Sequence, residues 1–349
     1  MMEEVLLLKQ NPKNIIVRMP NWIGDLVMAT PVLELLKKKY PEARLTVMCQ
    51  GPLGELLEKD PHVNEVFSFH KSKTFWRRFA DRSVIMRLRQ GKYDLGVLLT
   101  NSFSSAWLFW RGRVANRLGF TGQWRSWLLN KGVAFPKGRK SQHLVGTYIQ
   151  LLKSLGIEED VKPRLYVVQQ EIENAQGFLK RFGIEEGAKV VGVNPGAAYG
   201  EAKCWLPNRF TEVAKEMIAR ECHVVFFGDR GSKDLVNSIC SGLGERAVNL
   251  AGLTSLRELM ALIHACKVFL TNDSGPMHIA DAVGVPIVAL FGSTDPVVTG
   301  PFRGETIIQK PVSCSPCFKR VCPIDFRCMK GIQVKDVVSA LTEKISGTD

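Results

Sequence analysis

The segment TNDSGPMHIADAVGVP, residues 271–286, places an acid, a hydroxyl, a glycine and a histidine where an apolar run meets a predicted helix. Such a joint could be a tight turn, a nucleophile site or an anion cradle. The helix is expected to begin at or just after Pro276, because proline in the first helical turn loses no donor that the helix needs. The N–H groups at a helix start, together with its dipole, favour an anion cradle formed by Asp273, Ser274 and Gly275.

The nucleophile alternative requires an activated hydroxyl. A nucleophilic Ser274 would be expected in a G-x-S-x-G elbow, and the sequence here is N-D-S-G-P. His278 could act as its base, but it lies in the same helix and no orienting acid is identifiable. The anion cradle therefore remains the preferred interpretation.

Two other loops follow predicted strands of the same half and carry polar residues. In NPGAAYGEAKCWLP, residues 194–207, the small residues leave N–H groups accessible around Asn194 and Gly196, and Lys203 could reach a phosphate. A mobile loop with one solvated lysine fits this pattern equally well. FGSTDP, which contains Thr294, adds a hydroxyl-rich turn at the same sheet edge.

Two aspartates admit two interpretations each. Asp25, in the loop RMPNWIGDLVMATP, could cap a helix or act as a general base, and spacing alone favours the cap. Asp229, in FFGDRGSKD, could bind a ribose hydroxyl or stabilise a turn, and spacing alone favours the turn. Neither a G-x-G-x-x-G fingerprint nor a P-loop is present in the chain.

Four of the nine cysteines lie close together in the sequence. Cys314, Cys317, Cys322 and Cys328 are spaced C-x2-C-x4-C-x5-C and could hold a structural Zn²⁺. Only the first pair has the usual spacing for zinc ligands. A thiol-rich loop without metal is the alternative.

The net charge of +13 lies in one half of the chain. Residues 1–165 hold 27 Lys and Arg against 14 Asp and Glu, whereas the remainder holds 20 of each. Basic residues interleaved with aromatic ones, as in residues 71–92, suit an anionic membrane surface, a phosphorylated lipid headgroup or nucleic acid. Arg77, Arg78 and Arg82 are the candidate anion-binding residues of that segment.

The elements that must position these residues alternate between strands and helices, which predicts parallel sheets. The pattern restarts near Lys189, so the 349 residues predict two Rossmann-like α/β domains, 1–170 and 171–333, with the active site in the cleft between them. A final helix is predicted over residues 334–345. No apolar run reaches the length of a membrane span and no secretory signal is evident, so a cytoplasmic protein is expected.

These motifs together resemble glycosyltransferase family 9, the ADP-heptose:lipopolysaccharide heptosyltransferases. MPNWIGDLVMATP, NPGA with KCWLP, and NDSGPMHIADAVGVPIVALFGSTDP carry the resemblance, and CSPCFKRVCP is most similar to the type II enzymes. The resemblance implies a GT-B fold whose C-terminal domain binds the donor and whose final helix packs back on the N-terminal domain. It also implies inverting transfer of heptose from ADP-heptose to the heptose of the lipopolysaccharide inner core.

The resemblance assigns roles to individual residues. Asp25 matches the proposed general base, Lys203 the phosphate-binding lysine, and residues 273–275 the segment whose N–H groups meet the diphosphate. Further donor-binding residues are expected in the same loops: Asn194, Gly196, Asp229, His278 and Thr294. Asp229 does not align cleanly with the family's acid, and His278 matches a motif histidine to which no role is assigned. No divalent metal or other cofactor is expected for catalysis, and the chain has no D-x-D triplet.

The implied partners are ADP-heptose and an acceptor, Kdo-lipid A that already bears one heptose. Peripheral contact with the cytoplasmic face of the inner membrane is expected through the basic half, and no nucleic acid is expected. Two alternatives remain: another GT-B nucleotide-sugar enzyme, with a different donor sugar or epimerase chemistry, and a nucleic-acid-binding protein.

Overall fold

The computed structural model describes residues 10–70, 81–136, 138 and 141–347. The chain forms two compact units, the first ending at Tyr166 and the second beginning at Val167. None of the described helices combines the length and the apolar character that a membrane span requires.

The first unit is built on one parallel sheet. Its described strands are β1 (Asn14–Arg18), β2 (Arg44–Gln50), β3 (Glu65–Phe69), β4 (Leu95–Leu98), β5 (Asn116–Phe120) and β6 (Lys131–Val133). Its described helices are α1 (Ile23–Met28), α2 (Pro31–Lys39), α3 (Arg82–Gln90), α4 (Phe103–Arg111) and α5 (Leu144–Lys153). Short 3-10 helices cover Gly51–Leu57 and Ser126–Leu128. The strands pair in the order β3-β2-β1-β4-β5-β6.

The second unit repeats this plan. Its described strands are β7 (Val190–Asn194), β8 (His223–Phe226), β9 (Ala247–Asn249), β10 (Val268–Asn272), β11 (Ile287–Phe291) and β12 (Thr306–Gln309). Its described helices are α6 (Gln169–Lys180), α7 (Pro207–Ile218), α8 (Lys233–Cys240), α9 (Leu256–His264), α10 (Gly275–Val283), α11 (Pro296–Thr299), α12 (Arg327–Gly331) and α13 (Val334–Ser346). The 3-10 helices here are Glu201–Lys203 and Arg230–Ser232.

The central strands are short apolar runs because helices cover both faces of each sheet. Every residue of β4, β7, β10 and β11 is buried. Such strands lack the alternation of polar and apolar residues that a half-exposed sheet would show. The predicted parallel α/β architecture of each half is therefore what the structure shows.

Strand order identifies where each sheet can bind a ligand. The second sheet runs β12-β11-β10-β7-β8-β9, which is the order of the first sheet when it is counted from β9. In each sheet the order reverses between the first and fourth strands of the unit. Ligands of open α/β sheets bind outside the carboxyl ends of the strands at this point. The loops after β1 and β4, and after β7 and β10, are therefore the candidate binding loops.

The chain between β1 and β2 forms two helices in place of one. Helix α1 ends at Met28, and α2 begins at Pro31, whose ring nitrogen carries no hydrogen to donate. Between them, the Thr30 hydroxyl donates to the Val27 carbonyl at 2.8 Å. As a result Asp25 lies inside a helix, and not in the loop that leads to one.

The final helix was expected on the first domain, and this expectation is corrected. The apolar face of α13 belongs to the core of the second unit, where it packs on α7, β10 and β11. Val337 and Leu341 are fully buried there. The physical reason is that the second sheet needs helices on both faces, and α13 supplies cover beside α7.

Candidate active site

Asp25 lies just beyond β1, at the switch point of the first sheet. It is the third residue of α1 and is half-buried. The N-cap residue of α1 is Trp22, so the interpretation that spacing favoured, Asp25 as the N-cap, is wrong. A negative charge in the first helical turn suits the helix dipole. Burial and then the Asp25 charge raise the pKa of Tyr148, on α5, well above its usual value, so this tyrosine stays neutral beside the carboxylate.

A buried arginine holds the loop that carries Asp25. Arg18, the last residue of β1, donates to the carbonyls of Met19 and Met48 and, at 2.6 Å, to the Asn21 side chain. Its guanidinium lies 4.7 Å from the centre of the Phe69 ring. Burial lowers the pKa of Arg18 to about 10, so it remains a cation at neutral pH. These bonds fix the path of the chain between β1 and α1.

In the second unit the loops after β7 and β10 are tied together. The amide of Asn194, at the end of β7, donates to the Ser274 hydroxyl at 3.1 Å and to the Gly196 carbonyl at 2.9 Å. The Asn272 side chain accepts from the backbone N–H of Trp205 at 3.0 Å and donates to the Pro195 carbonyl at 2.7 Å. The polar residues at the switch point therefore form one network.

A carboxylate lies at the centre of this network. Asp273 Oδ2 accepts from Lys203 Nζ at 2.5 Å and from the Thr294 hydroxyl at 2.7 Å. The Lys203 and Asp273 side chains are only 14% and 5% exposed, so the pair is shielded from water. Lys203 is thus held in place rather than solvated on a mobile loop. Three loops, after β7, β10 and β11, converge on this carboxylate.

The start of α10 has the properties of an anion site. Ser274 is its N-cap residue, yet its hydroxyl makes no capping bond to the helix. It lies instead between the Asn194 amide and the Thr271 hydroxyl, 2.9 Å from the latter. The first N–H groups of α10 are therefore left uncapped by Ser274, with Gly275 as the first helical residue. An uncapped helix N-terminus beside a lysine suits a phosphate.

Two polar side chains lie further along α10 from this site. His278, the fourth residue of the helix, is buried with 4% exposure. Asp281 accepts from the N–H groups of Phe302 at 2.8 Å and Arg303 at 3.3 Å, although burial raises its pKa. Asp281 therefore joins α10 to the chain after α11, and His278 lies inside the unit.

Asp229 stabilises a turn. Its Oδ1 accepts from the N–H and hydroxyl of Ser232 at 2.9 and 2.7 Å, which caps the 3-10 helix that follows. This turn lies against the loop after β7, because a Cβ at Gly196 would be 3.0 Å from the Ser232 hydroxyl. The capping interpretation accounts for one carboxylate oxygen of Asp229.

The segment from Cys314 to Cys328, here called the cysteine segment, packs on the loop that carries Lys203. Sequence reasoning did not predict this contact. Tyr199 donates from its hydroxyl to the Phe318 carbonyl at 2.9 Å, and the Ala202 N–H donates to the Arg320 carbonyl at 3.0 Å. The Tyr199 ring has Lys203 Nζ 4.9 Å and the Arg320 guanidinium 5.2 Å from its centre. Two cations therefore flank one aromatic ring at the edge of the site.

The four cysteines do not assemble the zinc site that their spacing allowed. Cys314, Cys317 and Cys322 are half-buried and Cys328 is buried, all as free thiols. Within residues 10–70, 81–136, 138 and 141–347, no group of three or more His, Cys, Asp or Glu side chains is placed to hold a metal ion. Burial raises the pKa of Cys328, and neighbouring Cys314 and Cys322 raise it further. Cys328 belongs instead to the apolar core of the second unit.

The predicted acceptor-side arginines are only partly described. Arg82 is the exposed first residue of α3. Arg77 and Arg78 lie outside the described residues. The structure therefore brings together Asn194, Gly196, Lys203, Asp273, Ser274 and Thr294, and it places Asp25 in the other unit.

Comparisons with known proteins identify the family of this chain. Glycosyltransferase family 9 (heptosyltransferase) matches residues 82–326. Lipopolysaccharide heptosyltransferase 2 of Salmonella typhimurium is 32% identical over 303 residues, which is 84% of this chain and 87% of that protein.

Two solved structures share the fold. The ADP-heptose lipopolysaccharide heptosyltransferase II of Escherichia coli superposes with a TM-score of 0.82 and 27% identity, covering 96% of this chain and 99% of that one. A glycosyl transferase family 9 protein from Veillonella parvula has a TM-score of 0.84 at 24% identity, covering 96% and 97%. The α/β fold class and its GT-B type, as predicted from the sequence, are confirmed.

Proposed function

The chain belongs to glycosyltransferase family 9 and is a glycosyltransferase, and we propose that it transfers heptose from ADP-heptose to the heptose of the lipopolysaccharide inner core, inverting the anomeric centre. The observation that carries the proposal is the network in which Lys203, Thr294 and Asp273 meet the uncapped start of α10. Such fixed donors suit a diphosphate. The relatives named heptosyltransferase 2 support heptose as the sugar.

The donor half of the mechanism concerns the leaving group. When the bond between the anomeric carbon and the diphosphate breaks, its electron pair stays on ADP, and negative charge builds on the phosphate oxygens. Lys203 and the N–H groups at the start of α10 stabilise that charge, and fixed donors do so without reorganisation. In the proposal these groups do this without a divalent metal. Asp229, His278 and Thr294 complete the donor site.

The acceptor half requires a base. Asp25 takes the proton from the acceptor hydroxyl as that oxygen forms the new glycosidic bond, so the carboxylate becomes protonated while ADP departs. The half-buried position of Asp25 at the switch point of the first sheet supports this role. The neutral hydroxyl of Tyr148 nearby adds no competing negative charge.

The acceptor and its location complete the proposal. The acceptor is Kdo-lipid A that bears one heptose, an anionic lipid, which the chain would meet at the cytoplasmic face of the inner membrane. The basic first half, with 27 cations against 14 acids in residues 1–165, supports such a partner.

The test is incubation with ADP-heptose and defined core-truncated acceptors, with and without EDTA, with product masses as the readout. One added heptose on the mono-heptosylated acceptor, unaffected by EDTA, is expected. Transfer only from UDP-sugars, or epimerisation without transfer, would establish the alternative nucleotide-sugar enzyme instead. Loss of transfer with EDTA would contradict the metal-free mechanism alone.

A further inference from the structure

An exposed aromatic surface lies on the first unit. On α4, Phe103, Trp107 and Trp110 recur at spacings of four and three and form one stripe. Their ring centres are 6.2 Å and 5.0 Å apart. Trp127 joins from the 3-10 helix after β5, 6.1 Å from Phe103 and 6.2 Å from Trp110. We call these residues, with Trp124, the tryptophan surface.

The outer members of this surface are in water. Trp124 is 91% exposed, Trp127 64% and Trp110 42%. Phe103 and Trp107 pack partly on the core of the first unit and support the others. Exposing large aromatic side chains costs free energy, and contiguous apolar patches of this kind mark interaction sites.

The loop that presents Trp124 and Trp127 is held rigidly. Between them Arg125 is 1% exposed and donates to the Phe120 carbonyl, to the Thr100 carbonyl at 2.5 Å and to the Asn101 side chain at 2.9 Å. Gln123 and Trp124 have positive φ angles of 50° and 60°, which are unfavourable for residues with side chains. A buried guanidinium thus keeps two tryptophans outside the fold at a cost in backbone strain.

The segment that carries this surface has charges of one sign. Residues 95–157 contain nine Lys and Arg and no Asp or Glu. Arg111 and Arg113 are exposed beside the surface, and the Arg111 guanidinium lies 5.8 Å from the Trp107 ring centre. A second copy of this chain would bring cations against cations in a two-fold contact, which is unfavourable. The complementary partner is anionic.

We propose that the tryptophan surface is where this protein inserts into an anionic lipid bilayer. Tryptophan suits the boundary between headgroups and acyl chains because its ring is apolar and its N–H is polar. Arg111 and Arg113 then face lipid phosphates. The proposal rests on the membrane contact included in the proposed function and identifies the residues that make it.

The test measures sedimentation of the full chain with phosphatidylcholine vesicles that contain or lack phosphatidylglycerol. The double variant Trp124→Ser/Trp127→Ser is expected to bind anionic vesicles at least about tenfold more weakly than wild type. Arg111→Gln/Arg113→Gln is expected to lose only the preference for anionic vesicles. Phe182→Ser, an exposed aromatic of the second unit, serves as the matched control and should bind as wild type.

The outcomes separate the surface from the proposed function. Wild-type binding that persists in the tryptophan double variant overturns the surface and leaves membrane contact standing. Absence of wild-type binding overturns both, whereas transfer to a deacylated, water-soluble acceptor would still report the proposed reaction. That transfer should be unchanged in the double variant. Two other results also overturn the proposal. One is light scattering that shows a wild-type dimer and its loss in the double variant. The other is a double variant that loses RNA binding and keeps vesicle binding.

Discussion

At the scale of single residues, two aspartates of the second unit have different partners. Asp273 holds Lys203 and Thr294 in place, whereas Asp229 caps a turn. Spacing alone could not tell these aspartates apart, because both follow a buried strand. Only the partner brought near by the fold, a lysine in one case and a serine in the other, distinguishes them.

The role of Asp25 is tested by Asp25→Asn, which preserves shape and removes the ability to accept a proton. We expect kcat to fall about 10²- to 10⁴-fold, the usual contribution of a general base, with the Kd for ADP-heptose unchanged by calorimetry. Glu42→Gln, an exposed carboxylate change in the same unit, is the control. A kcat near that of wild type would remove Asp25 from the mechanism.

Lys203→Ala tests the proposed phosphate contact. A hydrogen bond to a charged group contributes about 1.5–3 kcal/mol, so the Kd for ADP should rise roughly 10- to 100-fold. Lys215→Ala, an exposed lysine of α7, removes the same charge from the same unit and should leave the Kd unchanged. Equal weakening by both variants would mean that only net charge matters.

At the scale of elements, two sequence patterns did not indicate their packing partners, for the same reason. Each pattern can be recognised from its own residues: α13 is an amphipathic helix, and the cysteine segment is a set of closely spaced thiols. Their partners, however, are set by tertiary packing: α13 covers the second sheet, and the cysteine segment supports the loop of Lys203. Patterns within the strands, by contrast, predicted the sheets well because burial on both faces demands apolar runs.

Gly200→Ala tests whether the cysteine segment positions the loop that carries Lys203. A Cβ at residue 200 would lie 2.4 Å from the Arg320 carbonyl oxygen, so one of the two segments must move. We expect the Kd for ADP-heptose to rise about tenfold, with most of the thermal stability retained. Gly177→Ala, where the new methyl meets open space on α6, is the matched control. Unchanged affinity in Gly200→Ala would show that the contact does not act on the site.

Leu341→Ala tests the corrected place of α13. This side chain is fully buried in the second unit, and its truncation should lower the free energy of unfolding of that unit by about 2–5 kcal/mol in urea. Lys335→Ala, an exposed position of the same helix, should change it by less than about 0.5 kcal/mol. A shift confined to the unfolding of the first unit would return the helix to the original prediction.

At the scale of the whole molecule, the chain joins two sheets of the same strand order but unlike charge. The net charge of +13 lies in residues 1–165, and the remainder is neutral. The sequence alone was sufficient to divide the chain into these two halves, because charges can be counted and strand patterns recognised within each half separately. It was insufficient for the tryptophan surface, which depends on residues 103 and 127 meeting in space.

Replacing Arg77, Arg78 and Arg82 by Gln tests the division of labour between the halves. Each cation near an anionic membrane contributes about 1 kcal/mol, so binding to acceptor-containing vesicles should weaken roughly 100-fold, while ADP-heptose binding stays the same. Lys215, Lys233 and Lys335 changed to Gln remove equal charge from the second unit as a control. Loss of both kinds of binding, or of neither, would contradict the assignment.

The pairing of Lys203 with Asp273 has a consequence for selectivity. The resting site carries its own counter-ion, so an incoming anion must compete with a shielded carboxylate. Free inorganic phosphate offers few other contacts in exchange, whereas a nucleotide diphosphate also brings a base and a ribose. We therefore expect abundant small anions to be poor inhibitors, and the enzyme to remain available to its donor in a phosphate-rich solution.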